Sequence, residues 1–233
     1  MSKTVDIGII GALADEVAGL IAALDEPMTE TVGSVEFHTG ILEGKRVAIA
    51  RCGVGKVFAA LCAEAMIITY SPRLIVNTGV GGGIARGISV CDIVVAESLV
   101  QHDMDTSPLG DPKGLISGIN VVYFDTDTRA AGIVMRAAEK NSITVHRGII
   151  ASGDKFIASA DDKTRISADF GASVCEMEGA AIAQVAFVNN TPFCVIRAIS
   201  DSADEGSSMD YLQFLPIAAK NSALLTRTLV KEF

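Results

Sequence analysis

Short aliphatic runs recur along the chain at Val5–Ile10, Val47–Ala50, Leu74–Val76, Ile93–Ala96, Gly148–Ala151 and Phe193–Ile199. They do not alternate apolar with polar, which is the pattern of strands covered on both faces. Between several of them lie helix-like segments: Ala14–Leu24, Lys56–Tyr70, Thr126–Lys140 and Glu178–Asn189. A last helix spans Ser207–Glu232, where Pro216 should kink or restart it. Strands alternating with helices predict a three-layer α/β sandwich, with a central mixed, largely parallel sheet flanked by helices. Gln101–Ile119 follows neither period and reads as one long surface loop, a length usually tied to function. No repeat or linker breaks the pattern. One domain over residues 1–233 is expected.

Composition narrows the function classes. Hydrophobic residues make up 49% of the chain and charged ones 20%, enough for a large core and too apolar for disorder. The net charge is −9 and no stretch concentrates Lys or Arg. Such a surface disfavours nucleic acid and anionic membrane as partners, so a small-molecule ligand is expected. Cys52, Cys62, Cys91, Cys175 and Cys194 are an odd number without CxxC spacing, and read as buried reduced thiols. With no signal peptide and no long uncharged apolar stretch in view, a cytoplasmic location is expected.

In open α/β sheets ligands bind where strands end, so the residues just past each aliphatic run are the ones to inspect. They are Glu16 in G-A-L-A-D-E, the glycine turn Asn77–Gly83, S-G-D-K-F-I from Ser152, and Ser200-Asp201. These are predicted to open on one edge of the sheet. Arg197 interrupts an otherwise apolar strand and requires a carboxylate beside it. Glu178 opens a small-residue helix, where the helix dipole alone would favour a carboxylate.

The glycine clusters fail as dinucleotide motifs. Neither Gly53-Val-Gly55 nor Gly79-Val-Gly81 completes GxGxxG, and Gly55-Lys56 lacks the rest of a phosphate loop. His102-Asp-Met-Asp105 packs three potential ligands into four residues without a second cluster, and reads as a solvated loop rather than a metal site.

Taken together, several motifs resemble the bacterial methylthioadenosine/S-adenosylhomocysteine nucleosidases of the nucleoside phosphorylase superfamily. They are I-G-I-I-G-A-x-x-x-E-V at Ile7–Val17, G-V-G-K-V at Gly53–Val57, N-T-G at Asn77, the stretch Cys91–Val95, S-G-D-x-F-I at Ser152–Ile157, E-M-E at Glu176–Glu178 and R-A-I-S-D at Arg197–Asp201. The resemblance implies a nucleoside phosphorylase-like fold, a homodimer, and hydrolysis without a cofactor or metal. By that resemblance Glu16 is the water-activating base and Asp201 the acid at the adenine ring. Met177 and Glu178 bind ribose, Phe156 stacks on adenine, and the Ile157 backbone reads its edge. Gly82 supplies a backbone contact, while Ser200 and Arg197 support the acid and the carboxylate–water cluster.

The chain departs from its relatives at Val80, where a small hydroxyl residue is usual, at Leu13, and at Leu109, where a neighbouring subunit's aromatic often closes the 5′ pocket. The chemistry fits the residue types. Cleaving adenine from ribose needs an acid at the purine and a base for water on the other face of an oxocarbenium-like sugar. An Asp that supplies a proton near neutrality must be pushed above its ordinary ~3.9 by burial. A phosphorolytic relative would need cations for phosphate instead, and Glu16 would repel that anion.

Overall fold

The structure, a computed structural model, describes residues 3–202 and 207–233. In chain order the elements are β1 (Ile7–Gly11), α1 (Ala14–Ile21), β2 (Asp25–Val32), β3 (Val35–Leu42), β4 (Lys45–Arg51), α2 (Lys56–Tyr70), β5 (Leu74–Gly83) and β6 (Ile93–Gln101). There follow β7 (Phe124–Asp125), α3 (Thr128–Lys140), β8 (Val145–Ser152), α4 (Ala160–Phe170), β9 (Ala172–Glu176), α5 (Gly179–Val188), β10 (Phe193–Asp201) and α6 (Ser207–Glu232). Every aliphatic run became a strand, and the expected helices formed within a few residues of their limits. Helix α6 continues through Pro216 without a restart.

The sheet corrects one expectation. Strand β1 pairs in parallel with β4 and β5, and β10 with β5, but β10–β6, β5–β9 and the β2–β3–β4 ribbon are antiparallel. Pairs β6–β8 and β8–β9 are parallel too, so the sheet is mixed, as expected, but with parallel and antiparallel pairings balanced among the described strands rather than largely parallel. It also closes on itself: β5, β10, β6, β8 and β9 form a ring, because β5 trades partners along its length. Its first half pairs with β1, and its glycine end pairs with β9. The expected glycine turn Asn77–Gly83 is instead the second half of β5, and Gly81 there allows the close approach of β9, since a Cβ would stand 2.7 Å from the Val174 side chain.

Helices still cover both sides. Helices α1, α3 and α6 pack Leu20, Val134 and Leu229 into one apolar cluster, while α2 and α5 pack Met66 and Ile182 into another. The strand pair β2–β3 was missed because β3 alternates, burying Val35 and Phe37 around exposed Glu36, and β2 is an exposed edge. Pro27 sits there within a register shift, where an edge tolerates it. Helix α4 was missed because only Ile166 and Phe170 of its eleven residues are buried. No described helix is long and apolar enough to cross a membrane.

Candidate active site

A cavity of about 420 Å³ opens at the strand ends. Of the sequence-predicted residues, Glu16, Gly82, Phe156, Ile157, Met177, Glu178, Ser200 and Asp201 all line it. Arg197 does not; it lies behind the wall.

Glu16 occupies the first turn of α1, and its carboxylate is buried. Oε2 accepts the N–H groups of Ala12 (2.7 Å) and Leu13 (2.9 Å), and Oε1 that of Val80 (3.0 Å). A carboxylate has about four lone-pair sites, so one remains for a ligand. Burial raises the carboxyl above its ordinary value, against the pull of Arg197 and of those three N–H groups. Gly79 leaves it room, since a Cβ there would stand 2.5 Å from Oε1.

Asp201 ends β10, and its Oδ1 accepts the Ser200 hydroxyl at 2.7 Å. It pairs in register with Gly82, whereas Glu16 sits against Gly79 and Val80. Two to three residues of strand separate those anchor points, about 7–10 Å at ~3.3 Å per residue. Both carboxyl groups line one cavity, anchored at different points along β5.

Glu178 stands at the N-cap of α5, buried, with Oε1 accepting the Gly55 N–H at 2.8 Å. Burial first, then the neighbouring Glu176 carboxylate, push its pKa up to about 7, although Arg197 opposes them. The carboxylate that Arg197 required is Glu176. Arg197 is 2% exposed and donates to Glu176 Oε2 through both Nε and Nη2, and to Asn77 Oδ1. Asn77 in turn donates to the Ile10 carbonyl at 2.9 Å. Glu176 also accepts the Ser152 hydroxyl and the N–H groups of Glu178 and Gly179. This buried network fixes the start of α5 and with it Glu178.

Phe156 is 46% exposed at the cavity mouth, and Ile157 beside it is buried. Val80 lines the cavity with an apolar side chain, and Leu109 is 84% exposed on the loop after β6. The five cysteines are unpaired, four buried and Cys91 partly so. The solvated-loop reading of His102–Asp105 fails in part. His102 is only 6% exposed and packs on Gly153, and Asp103 pairs with Lys56, because the loop folds back against the end of β8. No described group of residues could hold a metal ion.

The phosphorylase superfamily model matches residues 6–231. A 5′-methylthioadenosine/S-adenosylhomocysteine nucleosidase of Haemophilus influenzae (strain PittEE) is 42% identical over 226 residues, 96% of this chain and 98% of that one. The chain belongs to that nucleosidase family, within the phosphorylase superfamily.

Among solved structures, the nucleosidase of Neisseria meningitidis in complex with methylthio-immucillin-A matches with TM-score 0.95 at 33% identity, over 98% of this chain and 99% of that one. Futalosine hydrolase of Helicobacter pylori strain 26695 matches with TM-score 0.93 at 33% identity, over 98% of each chain. Within this nucleosidase fold, sequence reasoning missed Glu176 and the Gly55 N–H as parts of the site. The E-M-E spacing carried a signal for Glu176: Arg197 demanded a buried carboxylate, and Glu178 was not the only candidate.

Proposed function

We propose that the chain hydrolyses the N-glycosidic bond of 5′-methylthioadenosine and S-adenosylhomocysteine, releasing adenine, with residues 1–233 acting as one domain. The observation that supports this reading is that Glu16, Glu178 and Asp201 line one cavity, with Glu16 and Asp201 anchored at different points along β5. Asp201 protonates the purine, and water on the free lone pair of Glu16 attacks the anomeric carbon. Glu178 grips the ribose hydroxyls and favours the positive charge growing on the sugar. Phe156 stacks on adenine, Ile157 and Gly82 offer backbone contacts, and Met177 packs against the sugar. Ser200 orients Asp201, and Arg197 holds Glu176 and through it the start of α5.

Water is favoured over phosphate by the cavity wall. Among the described residues its one cationic lining group is Lys155, which is committed to Asp162 at 2.6 Å. The wall also includes Leu13 and Val54, apolar groups suited to a thioether. The homodimer reading draws support from α2, which exposes Val57, Phe58, Leu61 and Ile68, an apolar face that a second copy would cover.

The deciding experiment is release of the free base, adenine from methylthioadenosine, S-adenosylhomocysteine, 5′-deoxyadenosine and AMP and hypoxanthine from inosine, with and without phosphate. Equal rates of adenine release from the 5′-thio nucleosides in both conditions are expected. Dependence on phosphate would mean a transferase, and binding without adenine release a non-catalytic module.

Two further outcomes follow from the geometry. Gly79→Ala should drive a methyl group into the Glu16 carboxylate. Turnover should fall about 10²-fold, the scale of a misplaced catalytic group, in steady-state adenine release. The Glu178 carboxyl at about 7 must be ionised to grip ribose hydroxyls. Calorimetric affinity for a non-hydrolysable nucleoside should strengthen as pH rises through that value; a flat profile counts against its role. Stability runs the other way. The folded value exceeds the ordinary 4.5, so this group's contribution is fully present below 4.5 and is lost as pH rises through about 7.

A further inference from the structure

Two carboxylates hold adjacent N–H groups at the start of α2. Gly55 donates to Glu178, and Lys56 donates to Asp154 Oδ1 at 2.8 Å, across 98 residues of sequence. Helix α2 has no cap of its own, since its N-cap is Gly55 with φ +101°, so Asp154 supplies a cap from outside. Asp154 is also tied down through its backbone: its N–H donates to Asp103 Oδ2 at 3.0 Å. Asp103 Oδ1 takes the Lys56 ammonium at 2.6 Å, and that ammonium also reaches Gln101 at 3.1 Å. The same segment donates the His102 N–H to the Ser152 carbonyl at 3.0 Å and rests the His102 ring on Gly153, where a Cβ would stand 2.4 Å from Nε2.

Surface ion pairs ordinarily contribute little. Here the Lys56–Asp103 pair is only partly exposed, and Asp103 and Asp154 each also accept a backbone N–H from a different segment. Burial works against the charged form of Asp103, yet the Lys56 ammonium and the Asp154 N–H hold its carboxyl below its ordinary value. Asp154 is two residues from Phe156, and the Gly55 N–H touches Glu178.

We infer that Lys56, Asp103 and Asp154 form a latch that fixes the Phe156 turn relative to Glu178, making Asp154 a positioning residue for nucleoside binding. The inference rests on the nucleosidase reading above, because it assigns purine to one side of the latch and ribose to the other. It does not require these side chains to touch the substrate.

The test compares Asp154→Ala, Asp154→Asn and Lys56→Met with the unaltered chain, by steady-state adenine release from methylthioadenosine, calorimetric affinity for a non-hydrolysable 5′-thio nucleoside, and Tm. Asp154→Ala is expected to raise KM and Kd about tenfold, the equivalent of one lost helix cap, with kcat changed less than about threefold. Asp154→Asn keeps an oxygen acceptor for the Lys56 N–H and should recover most of that loss. A merely structural role would lower Tm and leave KM and Kd alone. Kd within about twofold of the unaltered value in Asp154→Ala, or no recovery in Asp154→Asn, overturns the latch. Should Asp154→Ala fail to fold, Lys56→Met severs only the ammonium link; a KM rise of about threefold supports the latch, and none overturns it. If the unaltered chain releases no adenine, the nucleosidase reading falls on its own, while the affinities still judge the latch.

Discussion

Asp201→Asn is expected to slow adenine release by about 10²–10⁴-fold while the nucleoside still binds. The substitution keeps size and shape at a position only 2% exposed, so the cavity should hold its form. The asparagine amide can donate a hydrogen bond to the purine but has no proton to give up, and the leaving group then departs as an anion. Local geometry explains why the aspartate points where it does. Register along β10 runs from Ile199 opposite Gly81 to Asp201 opposite Gly82, which makes Ser200 an extra residue. This register shift breaks the regular alternation of side chains just before Asp201, which lines the cavity. Single-turnover adenine release beside calorimetric nucleoside affinity separates the two quantities. Activity within about tenfold of the unaltered chain would remove Asp201 from the acid's role.

How far the sequence could be read depended on the kind of signal. The strands β1, β4, β5, β6, β8 and β10 announced themselves as aliphatic runs, and residues past the β1, β5, β8 and β10 runs do line one cavity. Ring closure had no such signal. It depends on β5 exchanging β1 for β9, a short strand whose five residues, Ala172–Glu176, carry too little pattern to stand out. Glu176 sits in that strand, so the partner of Arg197 was demanded by charge but could not be placed. The latch was hidden for a different reason. Lys56, Asp103 and Asp154 belong to three segments brought together only by folding, and each alone reads as a solvated surface charge. Position along the chain says nothing about such a contact.

Glu16→Gln should also lower turnover by about 10²–10⁴-fold, for two separable reasons. The first is chemical, since an amide is no base and cannot take the proton of an attacking water. The second is geometric. The carboxylate accepts N–H groups on both oxygens, Ala12 and Leu13 on one and Val80 on the other. Whichever way a glutamine amide is turned, its NH₂ faces at least one of these donors, so the side chain must rotate away from the place where it would hold water. The loss should therefore fall on kcat more than on KM, read from steady-state adenine release. A pH series supplies an independent check. Burial holds the Glu16 carboxyl above its ordinary 4.5, so its contribution to stability is fully present below 4.5 and is lost as pH rises through the folded value. The glutamine variant has no such limb, and its Tm should gain on that of the unaltered chain as pH increases. A variant that keeps near-normal kcat would show that water is activated elsewhere, and the placement of the two carboxyl groups would then lose its mechanistic meaning.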